Sequence, residues 1–174
     1  MSPTGHLAIG FAVKRWDSKI PLVWFLVGAY AIDLIYVVLL ALGIESFGND
    51  PWSHSLLMAI VYSMLIGMIA WLFTKQRRSA ILMGVVVFSH WILDFIVWGN
   101  LPLAFDKTPL LGLGLYNVIG FDISVPQLNM GMMIAGGLEL IMLIIGFILY
   151  RSSLKKSTSS KRITQRSKLR ESRT

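Results

Sequence analysis

Long apolar runs separated by short polar breaks set the pattern of this chain. Four of them, residues 20–44, 56–74, 79–99 and 131–150, are close to or beyond the roughly 20 residues needed to cross a hydrocarbon core. Each is predicted as a helix, because an isolated strand would leave its backbone groups unpaired in lipid. A shorter element precedes them. Ser2-Pro3 reads as an N-cap followed by proline at the first helical position, opening a helix from Pro3 to about Trp16. At 1.5 Å per residue it reaches roughly 20 Å, too short to span comfortably. It is predicted as a half-membrane helix packed against the bundle, with its C-terminal end at the cytoplasmic face. The expected fold class is therefore all-α, an integral membrane bundle of four transmembrane helices plus a short N-terminal half-membrane helix. Segment 100–130 is quite apolar but punctuated by Pro102, Pro109, Gly112, Gly114, Gly120 and Pro126, and is predicted to pack over the outer end as a lid. No internal repeat and no discontinuous helix pair is evident.

Composition agrees with lipid as the solvent. The 174 residues are 55% hydrophobic and only 14% charged, where a soluble domain is about a quarter charged. The net charge of +7 would suit a nucleic-acid partner, but its distribution does not. Residues 151–174 carry nine Lys/Arg against one acid, Glu171, for +8; residues 1–150 carry seven bases against eight acids, for −1. The chain thus divides into a transmembrane domain, 1–150, and a basic tail, 151–174, whose Ser, Thr, Lys and Arg predict disorder. The tail suits a topology anchor that meets anionic lipid headgroups, and nucleic acid is the disfavoured partner. Three basic groups (Lys14, Arg15 and Lys19; Lys75, Arg77 and Arg78; the tail) fall on one side of a four-span bundle, which the positive-inside rule makes cytoplasmic. The opposite side receives 45–55 and 100–130, which together hold one base, Lys107. The N-terminus lacks the charged n-region of a signal peptide.

Polar residues inside the spans carry the chemistry, since ionisable groups at membrane depth cost several kcal/mol unless paired, hydrated or metal-bound, at roughly 2.5–3.5 kcal/mol or more each. There are three histidines, His6, His54 and His90, and three acids within spans, Asp33, Asp94 and Glu139. With no cysteine, any metal must use imidazole and carboxylate ligands. His90 and Asp94 are four apart on one helix face and can share an ion, or simply hydrogen-bond to each other. Counted at 1.5 Å per residue, Asp33 lies roughly 20 Å from the basic end, His90 and Asp94 roughly 17 and 23 Å, and His6 roughly 12 Å. His54, in Trp52-Ser53-His54-Ser55, stands at the outer end of the second span and must point inward. The five converge between the midplane and the outer face. Glu139, also near mid-depth, is a candidate ligand, general acid/base or orienter of a ligand. Ser53, Ser55 and Ser89 flank histidines, so a Ser–His–Asp hydrolase is an alternative, although no G-x-S-x-G elbow occurs.

The order His6, Asp33, Ser53-His54-Ser55-Leu56-Leu57, His90-Trp91-x-x-Asp94 resembles the YdjM-like inner-membrane metal-dependent hydrolases. Gly112-Leu113-Gly114-Leu115-Tyr116-Asn117 and Glu139 also look like features of some members. The same order is similar to part of the zinc-dependent phospholipase C and single-strand nuclease superfamily. That resemblance implies one ion on Asp33, His54, His90 and Asp94 and a second on His6 and Asp94, with Asp94 bridging. It implies no third site, because the chain has no further histidine, although Asn117 and Glu139 stand in reserve. The implied location is the inner (plasma) membrane, multi-pass, with a cytoplasmic C-terminus and an N-terminus within the membrane.

The donor set suits Zn²⁺, one or two ions, ahead of Mn²⁺ or Fe²⁺. Two such ions would clamp a phosphate oxygen and activate water. The leading expectation is a metal-dependent hydrolase of a lipid or polyprenyl phosphoester, with Glu139 and Asp94 as catalytic residues. The alternative is a non-enzymatic membrane protein, a metal or proton carrier or a scaffold, using the same His/Asp cluster.

Overall fold

The computed structural model describes residues 4–46, 51–105, 108–120 and 130–171, with side chains as far as Leu154. Among these residues the chain forms α1 (Thr4–Lys14), α2 (Leu22–Ala29), α3 (Ala31–Ala41), a 3₁₀ turn (Trp52–His54), α4 (Leu56–Thr74) and α5 (Arg77–Val97). Strands β1 (Leu101–Pro102) and β2 (Leu110–Leu111), helix α6 (Leu115–Val118) and helix α7 (Met130–Glu171) complete it. The cap expected at Ser2-Pro3 lies outside the described residues.

Three stretches among the described residues are long and apolar enough to cross a membrane: α4, α5 and residues Met130–Leu154 of α7. Only 22%, 39% and 17% of their apolar windows are buried inside the protein. A soluble core helix would hide most of such a surface; these turn it outward. The 21 residues of α5 extend about 31 Å, the thickness of a hydrocarbon core.

The expected first span is not one helix. It is the pair α2 and α3, bent by 56° at Tyr30, so the count is three spans, or four if the pair crosses as one. There is no proline at the bend. The Ala29 carbonyl, which an unbroken helix would commit to the N–H of Asp33, accepts a hydrogen bond from His90 Nδ1 at 2.8 Å. A side chain inserted into the i→i+4 ladder is a recognised cause of kinks, and here it comes from α5. A discontinuous helix pair is therefore present where the sequence shows none.

Close backbone approach fixes the other helices. α1 lies between α2 and α7 and runs parallel to α7: Gly5 meets Glu139, Ala8 meets Gly146, and Phe11 meets Phe147 and Tyr150. A Cβ on Gly146 would collide with the Ala8 carbonyl oxygen, so only glycine lets the two helices touch there. At the far end of α1, Asp17 Oδ1 accepts from the N–H groups of Lys19 (2.6 Å) and Ile20 (3.1 Å), and Lys14 Nζ donates to the Asp17 and Ile20 carbonyls. This corner turns the chain into α2. α4 and α5 pack antiparallel, with Gly67 against Ala80 and Gly84 against Ser63.

Segment 100–130 is more ordered than the loop expected of it. β1 and β2 pair antiparallel, Leu101 with Leu111 and Pro102 with Leu110. The hairpin is tied to the start of α4 by Leu57 N–H to the Leu103 carbonyl and to the end of α5 by Leu113 N–H to the Phe95 carbonyl, at 3.1 and 2.7 Å. The described part thus packs on the end expected for it. Residues 106–107 and 121–129, with Lys107 and Pro126, lie outside the described residues. Beyond Arg151 the backbone stays helical to Glu171, where disorder was expected. Extending an established helix adds one hydrogen bond per residue fixed, without a new nucleus, and local composition does not register that advantage.

Candidate metal centre

The five candidate ligands reach the centre from four elements. His6 comes from α1, Asp33 from the first turn of α3 just after the bend, and His54 from the 3₁₀ turn that Ser55 joins to α4 as N-cap, its Oγ accepting from Met58 N–H at 3.2 Å. His90 and Asp94 project from one face of α5. Asp94 is one turn from the end of α5, so the cluster sits toward the end of the bundle away from Arg77.

All five side chains meet. His54 Nε2 lies 3.2 Å from Asp33 Oδ1 and 4.0 Å from Asp94 Oδ2. His90 Nε2 lies 3.4 Å from Asp33 Oδ1 and 3.2 Å from Asp94 Oδ2. His6 Nε2 lies 3.8 Å from Asp94 Oδ1, so Asp94 offers one oxygen to His6 and the other to His54 and His90. Two overlapping ligand triads result, His6/Asp33/His90 and His54/His90/Asp94. They share His90, and Asp33 stands within reach of His54 and His90 as well as of His6. His6, His90 and Asp94 are buried, while the Asp33 side chain is 40% exposed, so the centre opens alongside α3.

The outer partners of the histidines decide what the centre needs. His90 Nδ1 donates to the Ala29 carbonyl, which turns Nε2 toward two carboxylates. Ser53 donates its hydroxyl hydrogen to Glu45 Oε2 at 2.8 Å, so its oxygen accepts from His54 Nδ1 at 3.3 Å. His54 Nε2 then also faces carboxylates. Each ring has acceptors on both sides, and neutral imidazole has one hydrogen to offer. His6 Nδ1 and Nε2, His90 Nε2 and Asp94 Oδ1 are buried without a hydrogen-bond partner, although buried polar atoms are satisfied in the great majority of cases. A proton on one ring relieves one contact. Protonating both His6 and His90 would set two cations face to face, since their rings stack at 3.8 Å with planes 9° apart. A divalent cation among the Nε2 and carboxylate atoms relieves the contacts on that side of all three rings together and leaves His6 Nδ1 without a partner, so the residues present fit such a group.

Glu139 stands beside the cluster and belongs to neither triad. It is buried against Gly5 of α1, and its Oε1 accepts from the Tyr116 hydroxyl at 2.6 Å. Burial pushes the Tyr116 phenol up, and its hydrogen bond to Glu139 adds to this, so the phenol remains a donor. Asn117 lies over Gly99 and Gly114. The serine-nucleophile alternative loses its candidates: Ser53 donates to Glu45, Ser55 caps α4, and Ser89 donates to the Val86 carbonyl at 2.7 Å.

Three participants escaped the sequence reading. Glu45 gave only the weak signal of a lone acid in an apolar flank. Ser53 was visible only as a possible nucleophile, and the Ala29 carbonyl has no side-chain signature at all. Compared with family models, with curated proteins and with solved structures, the chain matches none, and the residues themselves carry the functional reading.

Proposed function

We propose that this protein is a membrane-embedded, metal-dependent hydrolase of a lipid or polyprenyl phosphoester. The observation that supports it most is the acceptor-flanked state of His54 and His90, which asks for a cation within a set of three imidazoles and two carboxylates. Nitrogen and carboxylate donors favour Zn²⁺, with Mn²⁺ and Fe²⁺ behind it. His6, Asp33, His54, His90 and Asp94 would hold one or two ions. When bound, such ions neutralise charge on a phosphoryl oxygen and make water a better nucleophile.

The chain's own residues do the rest. Ala29 and Ser53 fix the two imidazoles, and the burial of Asp94 keeps bulk water from the inner side. The exposed flank of Asp33 is the entrance, bordered by the apolar side chains of Leu34 and Val37, which suits a substrate carrying a hydrocarbon chain. Glu139, with Tyr116, takes up and returns the proton. The basic end of the bundle faces the cytoplasm of an inner membrane, where the α7 extension meets anionic headgroups.

A second reading, a metal or proton carrier, gains one specific observation. Broken helices whose freed carbonyls turn toward an ion site are a feature of secondary transporters, and the α2–α3 break gives the Ala29 carbonyl to His90. Reconstitution separates the two. Zinc-loaded protein in vesicles containing phosphatidic acid and polyprenyl phosphate should release phosphate, and His90→Ala and Asp94→Ala should not. Zinc flux across sealed vesicles without hydrolysis of any phosphoester would replace the hydrolase with the carrier.

A further inference from the structure

Glu45 belongs to neither ligand triad, yet it is buried, with 9% of its surface exposed. Among the described residues no lysine or arginine forms an ion pair with it. Both carboxylate oxygens are given to one residue: Oε1 accepts from Ser53 N–H and Oε2 from Ser53 Oγ–H, each at 2.8 Å. The turn after α3 makes this approach geometrically simple, with Gly43 at φ 69 reversing the chain in a region where glycine is at no disadvantage.

A hydroxyl has one hydrogen. With that hydrogen on Glu45, the Ser53 oxygen can only accept, and the group 3.3 Å away is His54 Nδ1. His54 must then carry a proton on Nδ1 and present Nε2 to Asp33 and Asp94. The ring of Tyr36 closes edge-on over His54 at 5.4 Å between centroids, which limits rotation of the imidazole. Holding the loop would need only the Ser53 N–H bond. The hydroxyl bond and the buried negative charge behind it serve the imidazole.

We propose that Glu45 and Ser53 are positioning residues, a carboxylate–hydroxyl–imidazole relay that fixes the tautomer and ring angle of His54. Its consequence for affinity rests on the metal-centre reading; its geometry does not. Outer partners of this kind typically change metal affinity by about 10- to 100-fold.

The test is zinc competition against a chromophoric chelator, on purified full-length protein in detergent. Ser53→Ala and Glu45→Gln should each weaken zinc binding by about 10- to 100-fold, Ser53→Thr should restore it, and His54→Ala should lose it. Wild-type affinity in Ser53→Ala and Glu45→Gln, alongside loss in His54→Ala, would overturn the relay and leave the metal centre standing. ¹⁵N NMR of histidine-labelled, metal-free wild type decides the relay without any variant: Nδ1 of His54 should be protonated, and an unprotonated Nδ1 would overturn it. Wild type that binds no zinc would sink the metal centre, with the NMR result still deciding the relay.

Discussion

The imidazole rings of His6 and His90 lie face to face, 3.8 Å apart and within 9° of parallel, although the two residues are 84 positions apart in the chain. Neither His6 nitrogen has a hydrogen-bond partner, while His90 is tied to the Ala29 carbonyl. Stacking positions His6; ligation gives it a reason to be polar. Replacing it separates the two roles. His6→Phe keeps an aromatic ring on His90 and should cost little stability, since such pairs are worth about 0.5–1.5 kcal/mol. It should nevertheless reduce bound metal by about one ion per chain if the triads hold two. Thermal unfolding and elemental analysis of the same preparations check this. Full metal content in His6→Phe would remove His6 from the ligand set.

The contact between Ala8 and Gly146 is what lets α1 carry His6 to that depth. Gly146→Val should push α1 off α7, at an overpacking cost of about 1–3 kcal/mol. The variant should remain in the membrane fraction and lose as much metal as His6→Phe is expected to. Normal metal content in Gly146→Val would mean that α1 reaches the site without that close approach.

Much of this could be read from the chain beforehand, and the reasons for the gaps are physical. The bounds of α4 and α5 follow from apolar length, and the pairing of His90 with Asp94 follows from helical spacing. Agreement in depth brought His6, Asp33 and His54 to the same level. The break at Tyr30 was not legible, because its cause is a hydrogen bond from His90, 61 residues away from Ala29. The stacking of His6 on His90 was hidden for a related reason: it depends on α1 lying parallel to α7, which a glycine at 146 permits but does not announce. Glu45 became informative only once the turn at Gly43 brought it to Ser53.

Asp17, at the corner between α1 and α2, gives a pH-dependent prediction well away from the metal centre. Burial alone would push its carboxyl up, but the Ser79 hydroxyl, the Ile20 and Lys19 N–H groups and the Lys14 ammonium together hold it below the usual value. A depressed folded-state pKa stabilises the protein above the unfolded value of about 3.9 and is lost as pH falls through the folded-state pKa. Asp17→Asn should therefore unfold at lower temperature than wild type at pH 7, and the difference should shrink as the pH falls below about 4. Unfolding temperatures across that range check it; a difference that stays constant into acid would mean that the Asp17 charge contributes nothing.

The account stands or falls on a cation among His6, Asp33, His54, His90 and Asp94. Elemental analysis of full-length protein, purified without chelator or added metal, measures it directly. One or two divalent ions per chain in wild type, and almost none in folded His90→Ala and Asp94→Ala, is the predicted result. A folded wild-type protein that carries no metal and takes up none from zinc-containing buffer would contradict it.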